Sequence, residues 1–181
     1  MLKMFSTQLT GLFGRVQANE EFAMEDAARL LAQAVAGEGK IYIKGFAEME
    51  SVELEATKGQ EPMRGAYTID MYEEITEADR VLVVSRFSND AGAIILAKNL
   101  VRRGISFVAI SGGVKQRVEG EEDLRDLADV HVDTKLLKGM LPGELGARFG
   151  FPGSMAALFA YHGMKFVFDE ILTEYFEEEE L

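Results

Sequence analysis

Cysteine is absent from the 181 residues, which excludes disulfides, thiol nucleophiles and thiolate metal sites. That absence fits a reducing compartment. Histidine is nearly absent too. His131 and His162 are the two present, and their spacing does not support a metal site; neither a metal nor a cofactor is expected. No apolar run reaches the roughly 20 residues that a membrane-spanning helix needs. The opening Met-Leu-Lys-Met-Phe-Ser lacks the apolar stretch of a signal peptide, so a cytoplasmic location with no membrane partner is expected. Positive charge is also scarce, with 19 Lys and Arg against 31 Asp and Glu and a net charge of −12. That balance argues against a broad surface for a phosphate backbone, so no nucleic-acid partner is expected. An anionic small molecule would need a locally basic or amide-rich pocket.

What the chain does contain is an ordinary globular composition, 48% apolar and 28% charged. With this length it suits one domain with a sizeable core. Leu2, Phe5, Leu9, Leu12 and Val16 recur at alternating spacings of three and four. This is a helical stripe that either lies on its own domain or forms a seam with a second subunit. A second amphipathic helix is expected over residues 19–36, with Asn19 as its cap and Gly37 as its stop.

The periodicity then changes. Residues 40–45, 80–85, 105–110 and 130–133 are short, apolar and β-branched, as strands are. Residues 80–85 show no alternation, which marks a strand covered on both faces. Residues 65–69 read as a short edge strand. Helices are expected over 48–58, 90–103 and 121–128, with a turn at 73–78. Residues 136–152 are glycine-rich and irregular. A long helix follows from Ser154, its cap, and ends in a solvated acidic tail over 177–181.

Strands separated by helices with short links imply right-handed crossovers and a parallel sheet. The expected fold is α/β, a three-layer αβα sandwich with a five-stranded parallel sheet in the order 2-1-3-4-5. Its parts are N-terminal helices (1–37), an α/β core (38–153), a C-terminal helix (154–176) and the tail. In that topology the ligand crevice lies outside the carboxyl ends of the first and third strands, here near Gly45 and Ser85.

Three loops meet at that edge. Ser85-Arg86-Phe87-Ser88-Asn89-Asp90 leads from a central strand into a helix N-terminus, where free amides and the helix dipole favour an anion. Asp90 can cap the same helix and already offers a carboxylate to those amides. Ser111-Gly112-Gly113 can fold its amides into an anion-binding nest or serve as a plain turn, with Lys115 and Arg117 close by. After Gly45 come Glu48, Glu50, Ser51 and Glu53. A buried carboxylate among them can act as a general base, while a solvated acidic face is the simpler reading. His131 alternates with Val130 and Val132 and should point opposite to them. His162 lies on the long apolar helix, among Leu158, Phe159 and Phe166.

The unit from Asp79 to Gly113, with its apolar strand, Ser85-Arg86-Phe87-Ser88-Asn89-Asp90, its helix and the strand after Gly104, resembles the sugar isomerase (SIS) domain. The likeness is to a divergent, phosphoheptose isomerase-like bacterial branch. That family includes isomerases and non-catalytic phosphosugar sensors, and its loop reads Ser-x-Ser-Gly-Asn-Thr/Ser. Ser85 matches the first serine and Asn89 the asparagine. Phe87, Ser88 and Asp90 stand at the second serine, the glycine and the threonine. The resemblance implies a domain that binds a sugar phosphate or related anionic metabolite, in a sensing or regulatory role. The ligand residues it points to are Gly45, Ser51, Ser85, Arg86, Ser88, Asn89, Asp90, Ser111, Gly112 and Gly113. An alternative is an aldose–ketose phosphate isomerase, with Glu48, Glu53 and His162 as candidate catalytic groups. A further one is a protein-interaction scaffold whose crevice is closed by Phe87. The family pairs through helices, so the resemblance also implies a homo-oligomer, a dimer or tetramer, through the N- and C-terminal helices.

Overall fold

A computed structural model describes residues 1–69, 74–114 and 116–179. The chain opens with one helix, α1 (Leu2–Ala36), not the two that the sequence pattern predicts. Asn19 is internal to it and donates its side-chain amide to the Arg15 carbonyl at 2.7 Å. The helix continues because its buried face does. Leu12, Val16, Glu20, Met24, Ala27, Ala28 and Leu31 keep the spacing of three and four. The charged Glu20 on that face hides the continuity from a hydrophobicity pattern. Gly37 ends the helix as expected, its amide returning to the Gln33 carbonyl.

Strand β1 (Ile41–Gly45) follows, then a 3₁₀ turn (Ala47–Met49) and α2 (Glu50–Lys58). The edge strand β2 (Ala66–Thr68) falls within residues 65–69, as expected. The expected turn at 73–78 begins on Glu73, which lies outside the described residues. Strand β3 (Arg80–Phe87), α3 (Ala91–Arg102) and β4 (Phe107–Gly112) form the central unit. Helix α4 (Leu124–Leu127) is shorter than 121–128, because a capping box of Asp123 and Asp126 starts it later. Strand β5 (Val130–Asp133) completes a parallel sheet of order β2-β1-β3-β4-β5, the order expected.

Alternate side chains divide between two helical layers. Ile41, Ile43, Leu82, Val84, Val108, Ile110 and Val132 pack with residues of α1 and α2. Tyr42, Val81, Val83, Phe107 and Ala109 pack with α3 and α4 residues such as Ala93, Leu96, Leu100 and Leu124. Val81 to Ser85 are buried throughout, as a strand covered on both faces requires. Each fully buried aliphatic side chain there contributes about 1.5–3 kcal/mol. Asp79 fixes the start of two strands. Its carboxylate accepts from the Lys40 amide at 2.7 Å and from the Thr76 amide and hydroxyl at 2.7 and 2.9 Å.

The stretch 136–152 is less irregular than its glycines suggest. It forms a small antiparallel hairpin of β6 (Leu141–Pro142) and β7 (Arg148–Phe149). Helix α5 (Gly153–Glu179) then packs on the same side of the sheet as α1. Ser154 sits inside its first turn instead of capping it, because the Pro152 carbonyl already accepts the first helical bond, from Ala156 at 3.0 Å. The acidic run that reads as a tail is helical through Glu179. The N-terminal stripe is spent mostly within the chain. Leu12 is buried with Leu136, Met140, Leu141 and Ala156, and Phe5 and Leu9 pack against that cluster, while Leu2 stays exposed.

Candidate functional site

An open crevice of about 1000 Å³ lies where the topology places it, beyond the carboxyl ends of β1 and β3. Glu48, Arg86, Phe87, Lys138, Arg148 and Gly153 are among its lining residues.

Glu48 reaches the crevice from the turn after β1. Gly45 permits that turn, since a Cβ there would lie 2.3 Å from the Met49 carbonyl oxygen. Ala47 has a φ of 55°, a left-handed conformation that costs a non-glycine residue about 1–2 kcal/mol. Such strain persists where surrounding structure demands it, often at functional sites. Arg86, at the end of β3, grips Glu48 with both arms of its guanidinium. Its Nε donates to Oε1 and its second nitrogen to Oε2, each at 2.6 Å. The Arg86 hydrogen bond holds the Glu48 carboxyl below its usual pKa, against a smaller opposing effect of burial. The carboxylate rests against the start of α5. A Cβ on Gly153 would lie 3.1 Å from Glu48 Oε1, so glycine allows the approach.

The opposite wall comes from the hairpin segment. Arg148 donates to the carbonyls of Gly139 and Met140, each at 2.7 Å, and thereby holds the hairpin closed. Lys138 is exposed, with no ion-pair partner among the described residues. Phe87 does not close the crevice, as a scaffold reading expects. It meets Phe151 edge-on with ring centroids 5.7 Å apart, and both line the open space.

The loop after β3 is satisfied internally. The Ser85 hydroxyl donates to the Phe87 carbonyl at 2.8 Å. Ser88 is fully buried, and its hydroxyl donates to Asp123 at 3.0 Å. The Ser88 amide donates to Gly112 and the Asp90 amide to Phe87. Asp90 caps α3 through the Ala93 amide at 2.9 Å, as expected. Asn89 faces a separate small hollow beside Glu121 and Glu122. Asp123 anchors this loop. Burial pushes its carboxyl up, but hydrogen bonds from the Arg125 side chain, the Arg125 amide and Ser88 outweigh that and hold it at about 2. Arg117 pairs with Asp123 and Asp126, and Lys115 lies outside the described residues.

Ser111, Gly112 and Gly113 are buried and form no open nest. The Ser111 hydroxyl meets His131 Nε2 at 2.8 Å, which places His131 opposite Val132, as the alternation predicts. Burial lowers the His131 pKa and favours the neutral ring. Ser51 donates its hydroxyl to the Glu48 carbonyl. Glu53 accepts the Gly45 amide at 3.0 Å and lies 3.9 Å from Lys44. His162 stands roughly 13 Å along α5 from Gly153, 4.0 Å from Glu55. Of the residues that the sequence nominates, the structure brings Arg86 and Glu48 together at the crevice. It places the others behind it or elsewhere. The residues that sequence reasoning missed are Lys138, Arg148, Phe151 and Gly153. The available signal was the pairing of uncompensated basic residues with glycines in 136–152.

The fold is that of sugar isomerase (SIS) domains. Phosphoheptose isomerase GmhA from Neisseria gonorrhoeae is similar at a TM-score of 0.62, with 14% identity, over 93% of this chain and 99% of that one. E. coli CFT073 c3406, solved in complex with a sugar phosphate, gives 0.64 with 11% identity over 96% and 90%. The Vibrio vulnificus NanR protein, complexed with ManNAc-6P, gives 0.67 with 13% identity over 97% and 64%. Within this fold the chain belongs to the family described as a domain of unknown function, DUF2529, which it matches over residues 1–172. It is 43% identical over 176 residues to the uncharacterized protein YwjG of Bacillus subtilis (strain 168), covering 97% of this chain and 99% of that one.

Proposed function

We propose that this domain binds a phosphorylated sugar or a related anionic metabolite in the crevice, in a sensing or regulatory role. The observation that carries the reading is the crevice itself. A chain with a net charge of −12 places Arg86, Lys138 and Arg148 around one open hollow at the carboxyl edge of its sheet. The SIS-fold structures from E. coli CFT073 and Vibrio vulnificus, each solved with a sugar phosphate, support the ligand class. In this reading Arg86 contacts the ligand. Gly45, Ser51, Ser85, Ser88, Asn89, Asp90, Ser111, Gly112 and Gly113 form the frame behind it. Glu48 is a built-in competitor, a carboxylate already seated in the guanidinium fork that a phosphate would take.

An isomerase needs a base poised near neutral pH. Glu48 is held in the opposite direction by Arg86, Glu53 is tied to β1, and His162 is outside the crevice lining. Binding without catalysis therefore fits the geometry better. No helix among the described residues is long and apolar enough to cross a membrane, and the proposal includes a cytoplasmic location. It also includes self-association through α1 and α5, using exposed Leu2, Phe22 and Phe166.

Calorimetric titration with a panel of hexose, pentose and amino-sugar monophosphates tests the reading. Dissociation constants from micromolar to low millimolar are expected. An intact fold that binds no member of the panel would overturn it.

A further inference from the structure

The crevice does not end at Lys138. Leu137, Lys138, Gly139 and Arg148 line it on one side and a second hollow of about 180 Å³ on the other. The second hollow is completed by Gln8 and Arg15 of α1 and by Lys135. Four cations therefore surround a space with room for a phosphate-sized group.

The compensation of those charges is uneven. Lys135 is neutralised by Glu20 at 2.5 Å and Asp133 at 3.5 Å. Arg148 donates to neutral carbonyls. Among the described residues, no ion pair joins Arg148, Lys138 or Arg15 to a carboxylate. The first 19 residues contain no Asp or Glu at all, so nothing nearby on α1 cancels Arg15. Three uncompensated cations on one wall repel one another, and in so acidic a chain their convergence calls for an anion. The backbone is strained beside them as well. Lys135 has a φ of 56° and Leu145 a φ of 51°, both in the segments that shape the two hollows.

We propose that the second hollow is a separate anion subsite and that the ligand is a sugar carrying two phosphate groups, one on each side of Lys138. This rests on the crevice being a sugar-phosphate site. One phosphate lies toward Arg86, the sugar passes the Phe87 and Phe151 rings, and the other phosphate lies among Arg15, Lys138 and Arg148.

The test is calorimetry on the full chain with glucose 6-phosphate and glucose 1,6-bisphosphate at one fixed salt concentration. The bisphosphate binds at least about 10-fold tighter, the gain of one added charge-assisted contact. Arg15→Gln then removes most of that gain and leaves the monophosphate within about twofold. Arg15 is exposed and holds nothing in the fold, so circular dichroism and melting of the variant stay as in the parent. Equal affinity for the two sugars, or an Arg15→Gln variant that keeps the full bisphosphate advantage, overturns the second subsite while the crevice reading stands. Binding of neither sugar overturns both.

Discussion

The loop after β3 and the segment 134–154 face the same edge of the sheet and are built on opposite terms. The first has the residue types of a ligand loop: two serines, an asparagine, and a helix N-terminus. Yet both hydroxyls and the Ser88 and Asp90 amides are spent inside the protein, and Asp90 occupies the helix cap. The second reads as glycine-rich connection. It nevertheless carries Lys138 and Arg148, positive charges that no carboxylate among the described residues cancels, on the wall of the crevice. A loop with its polar groups satisfied specifies a fold. A loop with charge left over specifies a partner.

The comparison can be broken most sharply at Arg86. Arg86→Met removes a bidentate donor and should weaken sugar monophosphate binding about 30-fold. An affinity unchanged by that variant would move the site elsewhere. Asp123 tests the other side. Its carboxyl sits at about 2 against an ordinary 3.8, so its stabilisation is fully present above pH 3.8 and is lost as pH falls toward 2. Asp123→Asn should cost about 2 kcal/mol at neutral pH and flatten that acid limb of urea-unfolding curves. Curves that stay parallel from pH 6 to pH 2 would deny Asp123 its anchoring role.

A smaller effect, in the direction of gain, is expected at Glu48. Glu48→Gln frees Arg86 from a charged competitor and should tighten monophosphate binding about 10-fold. Weaker binding would make Glu48 a ligand contact instead. Smallest is Ser88→Ala. It should lower stability by about 1 kcal/mol, the worth of one internal hydrogen bond, with affinity within about twofold. A loss of binding without a loss of stability would restore the β3 loop as the phosphate holder.

The sheet was legible because its strands are short β-branched runs that stop at glycine or at polar loop residues, and parallel pairing leaves few orders to choose among. The position of the crevice followed from that order, and the Asp90 cap followed from its place before α3. The site's composition was not legible. Arg148 reaches the crevice only because β7 pairs with β6, a two-residue contact that no periodicity announces. Gly153 matters because Glu48, distant in sequence, rests against it. Glu20 read as a break in an apolar stripe, yet it is buried and bound to Lys135 and the Asp133 amide. A residue's polarity does not reveal whether its hydrogen bonds are internal or free, and that difference separates the two loops.

The most direct test is a map of backbone amide shifts by NMR during titration with glucose 6-phosphate. The account predicts saturable shifts at Arg86, Lys138, Gly139, Gly153 and Ser154, with Ser88, Asp90, Gly112 and Gly113 nearly still. Shifts concentrated on Ser88 to Asp90 and Gly112 to Gly113, with the 138–154 wall unmoved, would contradict it.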